Sequence, residues 1–165
     1  MQENFKSTIA FIFLLGIVSI SFFYNSTKTL ENFCDGDLDC TLKLISETKN
    51  TLYCDSIVQS ESCYFEVAQI LNNANLCKKS NNETSCIIEN AITNKNSQIC
   101  KKSNKNDFCV FQVSISRELM ADCENAQNVS FCYYSYALAK KDINACKLSE
   151  KYKNTCLLRI NNETK

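Results

Sequence analysis

The sequence predicts an all-α protein in which an amino-terminal transmembrane or signal helix precedes a solenoid-like, disulfide-stapled array of 23-residue helical hairpins. Three observations predict this fold. An uncharged apolar stretch covers residues 7–24, twelve cysteines recur at regular steps, and the chain has two glycines and no proline. Because tight β-hairpin turns depend on glycine and proline, their scarcity favours helices joined by asparagine-rich turns.

The apolar stretch Ser7–Tyr24 is 18 residues long, which is near the lower limit for a helix that crosses a bilayer. A cleavable signal peptide would have its apolar region at residues 9–18, with the small residues Ser19 and Ser21 before the cut. The aromatic run 22–24 prolongs the apolar stretch beyond that cut and suits the membrane interface. We therefore expect a retained signal anchor; secretion after cleavage is the alternative.

These patterns divide the chain into three segments. We expect an anchor over residues 1–24, a linker over residues 25–33 and a cysteine-rich helical-repeat ectodomain over residues 34–165.

The cysteines define a repeat of 23 residues. From Cys40 to Cys146 the steps between successive cysteines alternate between 14 and 9 residues, and the two outermost steps are 6 and 10 residues. A fixed period in this range is typical of repeat architectures. Five units begin at Cys40, Cys63, Cys86, Cys109 and Cys132, and a truncated sixth begins at Cys156.

Each unit carries the pattern of an amphipathic helix followed by a turn. Apolar residues follow the unit's first cysteine directly and recur four or five places after it, which forms one stripe of a helix. A small residue recurs at the fifth place, where close helix packing requires one: Ala68, Ala91, Ser114 and Ala137. Four of the five residues at the tenth place are helix N-cap types: Asn50, Asn73, Asn96 and Asp142, with Leu119 the exception. We expect a long helix, a turn and a short second helix in each unit.

The spacing favours disulfide bonds across the nine-residue step. Cysteines 14 residues apart on a straight helix would be about 21 Å apart, whereas a disulfide needs Cα atoms within about 7 Å. In a hairpin the same two cysteines would be out of level by about 9 Å. The nine-residue step contains a polar loop that can close. The predicted pairs are Cys34–Cys40, Cys54–Cys63, Cys77–Cys86, Cys100–Cys109, Cys123–Cys132 and Cys146–Cys156.

The composition argues against several functions. Basic and acidic residues number 18 each, so no long-range field favours nucleic acid. Histidine is absent, which removes histidine-based nucleophile pairs, general bases and metal ligands. The close cysteine spacings of structural zinc sites, thioredoxin-like sites and haem attachment are also missing. We expect no catalytic residue, cofactor or metal, and an oxidising compartment for the cysteines.

Two further features concern the surface. Four Asn-x-Ser/Thr sequons are candidate glycosylation sites: Asn25, Asn82, Asn128 and Asn162. An aromatic run in the fifth unit contains Phe131, Tyr133, Tyr134 and Tyr136. We favour packing within the unit for this run; a contact surface is the alternative, since tyrosine is enriched in interfaces.

The unit CYYSYALAKKDINAC (Cys132–Cys146) resembles those of uncharacterised, mainly archaeal, membrane-anchored helical-repeat proteins with Cys-Tyr-x3-Ala-x4-Asp-x3-Cys units. CYFEVAQILNNANLC (Cys63–Cys77) is similar, with asparagine in place of the aspartate. The first and fourth units depart from the alanine with Ile45 and Ser114, and the fourth also departs at the cap. The resemblance spans about residues 40–160 and implies an extracytoplasmic repeat protein, without implying an activity.

We therefore expect a non-enzymatic, single-pass protein of the cell membrane, with its repeat domain outside the cytoplasm. The membrane is its partner through residues 7–24. The repeats would present a binding face to a protein or glycan. A self-associating structural component of the cell envelope is the alternative, and nucleic acid is not an expected partner.

Overall fold

The computed structural model describes residues 34–163. The predicted anchor, the linker and the sequon at Asn25 lie outside these residues. Every regular element between residues 34 and 163 is helical, as the sequence predicted. No helix in that range is long and apolar enough to cross a membrane.

Long α-helices alternate with short helices along the described part of the chain. The α-helices are α1 (Leu38–Thr48), α2 (Ser60–Ile70), α3 (Glu83–Thr93), α4 (Asn106–Arg117), α5 (Val129–Lys140), α6 (Ile143–Leu148) and α7 (Lys153–Glu163). The 3-10 helices are η1 (Thr51–Ser56), η2 (Leu76–Lys79), η3 (Ser97–Lys102), η4 (Met120–Asn125) and η5 (Glu150–Tyr152). Each of the helices α1 to α5 packs against the short helix that follows it, which is a 3-10 helix after α1 to α4 and the α-helix α6 after α5.

The described residues form two compact units, one ending at Gln59 and the other beginning at Ser60. In the first unit, α1 packs against η1, and Ile45 and Cys54 are fully buried. In the second unit, each long helix packs against the next one along the chain, from α2 to α5, and α7 packs against α5 and α6. The buried residues of the second unit include one continuous cluster that runs from Ala91 to Ile160 and a smaller cluster of Ala68, Cys77, Cys86 and Ile87.

Each of the first five long helices is followed, within two residues, by a residue with a positive φ angle. These residues recur at the 23-residue period: Lys49, Asn72, Lys95, Glu118 and Lys141, with φ of 59°, 49°, 50°, 54° and 54°. After each of the last four, the next residue donates its backbone N–H to the carbonyl of the recurring small residue, over 2.9–3.0 Å; Asn96 donates to Ala91, for example. This six-to-one bond is the Schellman helix ending. The small residues Ala68, Ala91, Ser114 and Ala137 are all fully buried there.

Three of the four predicted N-caps are formed. The Oδ1 atoms of Asn50, Asn96 and Asp142 accept backbone N–H groups two residues further on. The Oδ1 atom of Asn73 accepts the N–H of Asn75, at 3.1 Å, but η2 begins only at Leu76 and its N-cap, Asn75, makes no side-chain cap bond. Leu119 supplies no such bond. The fourth unit thus begins its short helix without a side-chain cap.

Four of the disulfides join a short helix to the next long helix, whereas Cys34–Cys40 joins α1 to the residues just before it. Five of the predicted pairs are formed: Cys34–Cys40, Cys77–Cys86, Cys100–Cys109, Cys123–Cys132 and Cys146–Cys156. Their Cα–Cα distances are 5.4 or 5.5 Å. Cys54 and Cys63 are also disulfide-bonded, and no cysteine is free.

Candidate interaction surface

The aromatic run of the fifth unit divides between the core and the surface. Tyr133 and Tyr136 are buried, with exposed fractions of 7% and 5%. Phe131 is 45% exposed, and Tyr134 is half-buried. Some residues of the run are therefore packed in the core and others lie at the surface, because α5 turns one side toward the core and the other away from it.

Three aromatic rings form a cluster on the outer side of α5. The ring centroids of Phe131 and Tyr134 are 6.2 Å apart, and those of Tyr134 and Tyr152 are 5.3 Å apart. Phe131 and Tyr152 meet edge to face at 5.9 Å. These separations lie within the range in which aromatic pairs attract one another. The rings thus hold one another in place while Phe131 remains accessible to a partner.

Two cations lie beside the rings. Arg159 donates a hydrogen bond from Nη1 to the hydroxyl oxygen of Tyr134, at 3.0 Å. The ammonium of Lys151 is 5.7 Å from the ring centroid of Tyr152, close enough for a cation–π attraction. We call Phe131, Tyr134, Lys151, Tyr152 and Arg159 the aromatic–basic surface.

Local structure positions each member of this surface. Phe131 and Tyr134 are three residues apart on α5 and therefore share a face. Asn128 caps α5 by accepting the N–H of Phe131, at 3.0 Å. Tyr152 ends η5, and the Cys146–Cys156 disulfide closes the segment that contains it. Because the rings are fixed by a cap, a disulfide and one another, a partner would meet a largely pre-ordered surface.

Sequence reasoning identified Phe131 and Tyr134 but missed Lys151, Tyr152 and Arg159. One signal for Tyr152 was available, since it is the only tyrosine that falls between two paired cysteines. No pattern in the sequence indicated Arg159, which reaches Tyr134 from 25 residues away.

Burial raises the pKa of the Tyr133 phenol above its ordinary value, and the negative charge of Glu124 raises it further. Burial is also the main cause of the raised pKa of Tyr136, which the positive charge of Lys140 partly opposes. Because both phenols lie in the core, Tyr133 and Tyr136 have a packing role.

A second polar cluster joins the third and fourth repeats. The Oδ1 atom of Asp122 accepts the hydroxyl of Ser97 at 2.8 Å and Nη1 of Arg117 at 2.9 Å. The side-chain amide of Asn125 donates to the Ser97 hydroxyl at 2.9 Å. Because Ser97 and Asp122 are buried, these bonds fix the register of neighbouring repeats. The cluster is explained by this structural role.

Two of the sequons occupy equivalent places in alternate repeats. Asn82 and Asn128 are exposed and lie 46 residues apart, which is twice the repeat. Each caps a long helix through Oδ1, by accepting the N–H of Ser85 or Phe131. A glycan attaches to Nδ2, so the cap and glycosylation are compatible. Asn162 is exposed on α7, and glycosylation at all these sites stays a prediction.

Within residues 34–163, no group of three or more cysteine, aspartate or glutamate side chains is placed to hold a metal ion. The chain matches no protein-family model, no curated protein and no solved structure in the comparisons made with them.

Proposed function

We propose that the chain is a non-enzymatic, extracytoplasmic, membrane-anchored scaffold that binds a protein or a glycan through its aromatic–basic surface. The observation that carries the proposal is the cluster of Phe131, Tyr134 and Tyr152 with Arg159 bonded to it. Aromatic and arginine side chains dominate binding energy at interfaces. Both protein surfaces and sugar rings offer apolar faces to such a cluster.

The anchor and the compartment belong to the same proposal. The apolar stretch at residues 7–24 supports membrane attachment, and the disulfide-bonded cysteines support an oxidising compartment. A secreted form after cleavage of the amino-terminal stretch is an alternative. Under either form, the repeat domain is outside the cytoplasm.

Self-association as a structural component of the cell envelope is a second candidate. The distribution of charge favours it, because the first described residues are acidic and the last are basic. Residues 34–59 hold five carboxylates and two lysines, whereas residues 140–163 hold six cationic side chains and three carboxylates.

Labelling of intact cells tests the location. A membrane-impermeant amine reagent should label lysines within residues 34–163, and a thiol reagent should label the cysteines only after reduction. Labelling of the lysines only after lysis, together with free thiols, would contradict the extracytoplasmic location.

Photo-crosslinking tests the binding surface. A photoreactive amino acid at Phe131 should give an adduct in intact cells, and the mass of the adduct distinguishes a protein, a glycan and a second copy. Phe108 provides the matched control, because it precedes the cysteine of the previous repeat in the same way and is 52% exposed. Equal adducts at both positions, or none at Phe131, would refute this surface as the binding site.

A further inference from the structure

We propose that the partner of the aromatic–basic surface is a second copy of this chain, whose acidic first unit docks on it. The inference rests on the proposed use of this surface for binding and names the partner. The two ends of the described chain carry complementary charges.

The opposite charges are concentrated at the two ends. The five acidic and two basic side chains of residues 34–59 give a net charge of −3, and the counts for residues 140–163 give +3. Residues 60–139 hold eight acidic and seven basic side chains, so the region between is nearly neutral. The overall neutrality of the chain therefore hides a separation of charge along the sequence, and unlike ends of different copies attract one another.

The acidic side chains are accessible. All five carboxylate residues of the first unit are exposed: Asp35, Asp37, Asp39, Glu47 and Asp55. Three of them, with Gly36, Leu38 and Gln59, line an open cleft of about 480 Å³. Asp37 is held in place because it caps α1 by accepting the N–H of Cys40, at 2.7 Å. The first unit thus offers an open acidic surface.

The last repeats offer the complementary features. Lys151 and Arg159 lie beside the rings, and Lys147 and Lys153 are further exposed cations of the last repeats. Phe131 offers an exposed apolar side chain, and the cations can pair with the carboxylates of the first unit. Apolar contact at the centre with charges at the rim is the usual anatomy of a protein interface.

A contact between two different surfaces is heterologous. Each copy that uses its first unit still has its last repeats free, so further copies can add and the assembly has no fixed size. Attachment of every copy to one membrane would raise the effective concentration of the partner surfaces. Open-ended assembly on a cell surface is the function that this interface would serve.

Charge reversal tests the proposal with the full chain in detergent micelles. One variant reverses the acidic end, with Asp35→Lys, Asp39→Lys and Glu47→Lys. A second reverses the basic end, with Lys147→Glu, Lys151→Glu and Lys153→Glu. A control, Lys78→Glu, Lys101→Glu and Lys105→Glu, makes the same change of net charge as the second variant, at exposed lysines between the two ends.

Sedimentation velocity then follows the mass as a function of concentration. The wild type and the control should associate, and each end variant should bind itself at least about tenfold more weakly. An equimolar mixture of the two end variants should associate again, because each reversed end then meets a complementary one. Raising NaCl from about 50 to about 500 mM, which shortens the Debye length roughly threefold, should weaken the wild-type assembly.

A monomeric wild type at all concentrations would overturn the proposal, as would unaltered association of either end variant or no rescue in the mixture. Helix content by circular dichroism and the disulfide map establish that each variant is folded. The uncharged variant Phe131→Ala should also weaken association, which separates this contact from charge alone. An adduct of Phe131 with another protein or a glycan, combined with a monomeric chain, would refute self-assembly and leave the binding function supported.

Discussion

The side-chain amide of Asn90 donates to the main-chain carbonyl oxygen of Ala68 across the junction of the second and third repeats, over 2.5 Å. The same carbonyl accepts the N–H of Asn73, at 2.9 Å. Asn90 is fully buried, and none of the described residues bonds its Oδ1 atom. Valine stands at the same place in the adjacent repeats, as Val67 and Val113. Asn90 is thus a polar side chain at an apolar position.

We expect Asn90→Val to stabilise the protein by about 1 kcal/mol. An unpaired buried acceptor costs roughly 1–3 kcal/mol, whereas one hydrogen bond contributes only about 0.5–1.5 kcal/mol. The Ala68 carbonyl keeps its bond to Asn73 in the variant. The measurement is the free energy of unfolding in urea with the disulfides intact.

The reverse substitution, Val113→Asn, is the control for this prediction. Val113 is fully buried, so the new amide should destabilise the fourth repeat by about 2 kcal/mol. A loss of stability in Asn90→Val would mean that the bond to Ala68 outweighs the unpaired oxygen.

Lys95→Gly should stabilise the protein by roughly 0.5 kcal/mol. Lys95 has a φ of 50°, which glycine adopts without the steric cost that a Cβ atom imposes, although the unfolded glycine chain is more flexible. The substitution should raise the midpoint of urea unfolding. Lys95→Val should lower it, because a β-branched side chain is strained at positive φ.

Lys78→Gly serves as the comparison, because Lys78 lies within η2 and has no positive φ. Glycine there should only destabilise the chain. Equal destabilisation by both glycine variants would show that the helix ending at Lys95 is unstrained.

The regular spacing of the cysteines made the repeat predictable, because steps of 9 and 14 residues restrict how a helical hairpin can close. The N-cap at Asn96 and the buried Ala91 could also be predicted, since each position needs a particular residue type. The residues with a left-handed backbone conformation could not be predicted. Lysine and glutamate are not typical at positive φ, and Lys95 and Glu118 adopt it because the next short helix must begin at once.

The candidate surface was only half predictable for a different reason. Phe131 and Tyr134 lie on one helix, so their common face follows from helical geometry. Tyr152 and Arg159 join them only through tertiary packing of the last repeat. That packing includes the closing loop of the Cys146–Cys156 disulfide, whose length departs from the regular step.

The buried phenols should titrate at higher pH in the folded protein than in the unfolded chain. Tyr133 and Tyr136 have raised pKa values, mainly through burial, against about 10 for an unfolded tyrosine. The folded state holds these protons more tightly, so their contribution to stability is full below about pH 10 and is lost as the pH rises through the folded-state pKa.

Ultraviolet absorbance of phenolate measures this titration, with the chain in denaturant as the reference. Tyr133→Phe or Tyr136→Phe should remove one late-titrating group from the folded protein. The corresponding loss of stability at alkaline pH should become smaller. Loss of a group that titrates near pH 10, as in the denatured chain, would show that the phenol removed is not protected.

Removal of the central Cys100–Cys109 disulfide should destabilise the array more than removal of the terminal Cys146–Cys156 disulfide. In the chain-entropy model, a loop of about ten residues contributes roughly 2.5–3 kcal/mol. The two loops are nearly equal, at separations of 9 and 10 residues, and all four cysteines are fully buried. If both cysteines of each pair are replaced by alanine, a difference in stability between the two variants must then come from the place of the disulfide in the array.

In a repeat array each unit is stabilised by its neighbours, and the central pair has repeats on both sides. Hydrogen exchange should therefore increase in α3, α4 and α5 when Cys100 and Cys109 are replaced, and only in α5 to α7 when Cys146 and Cys156 are replaced. Uniform acceleration in both variants would mean that the second unit unfolds as one block, and that the disulfides stabilise it together.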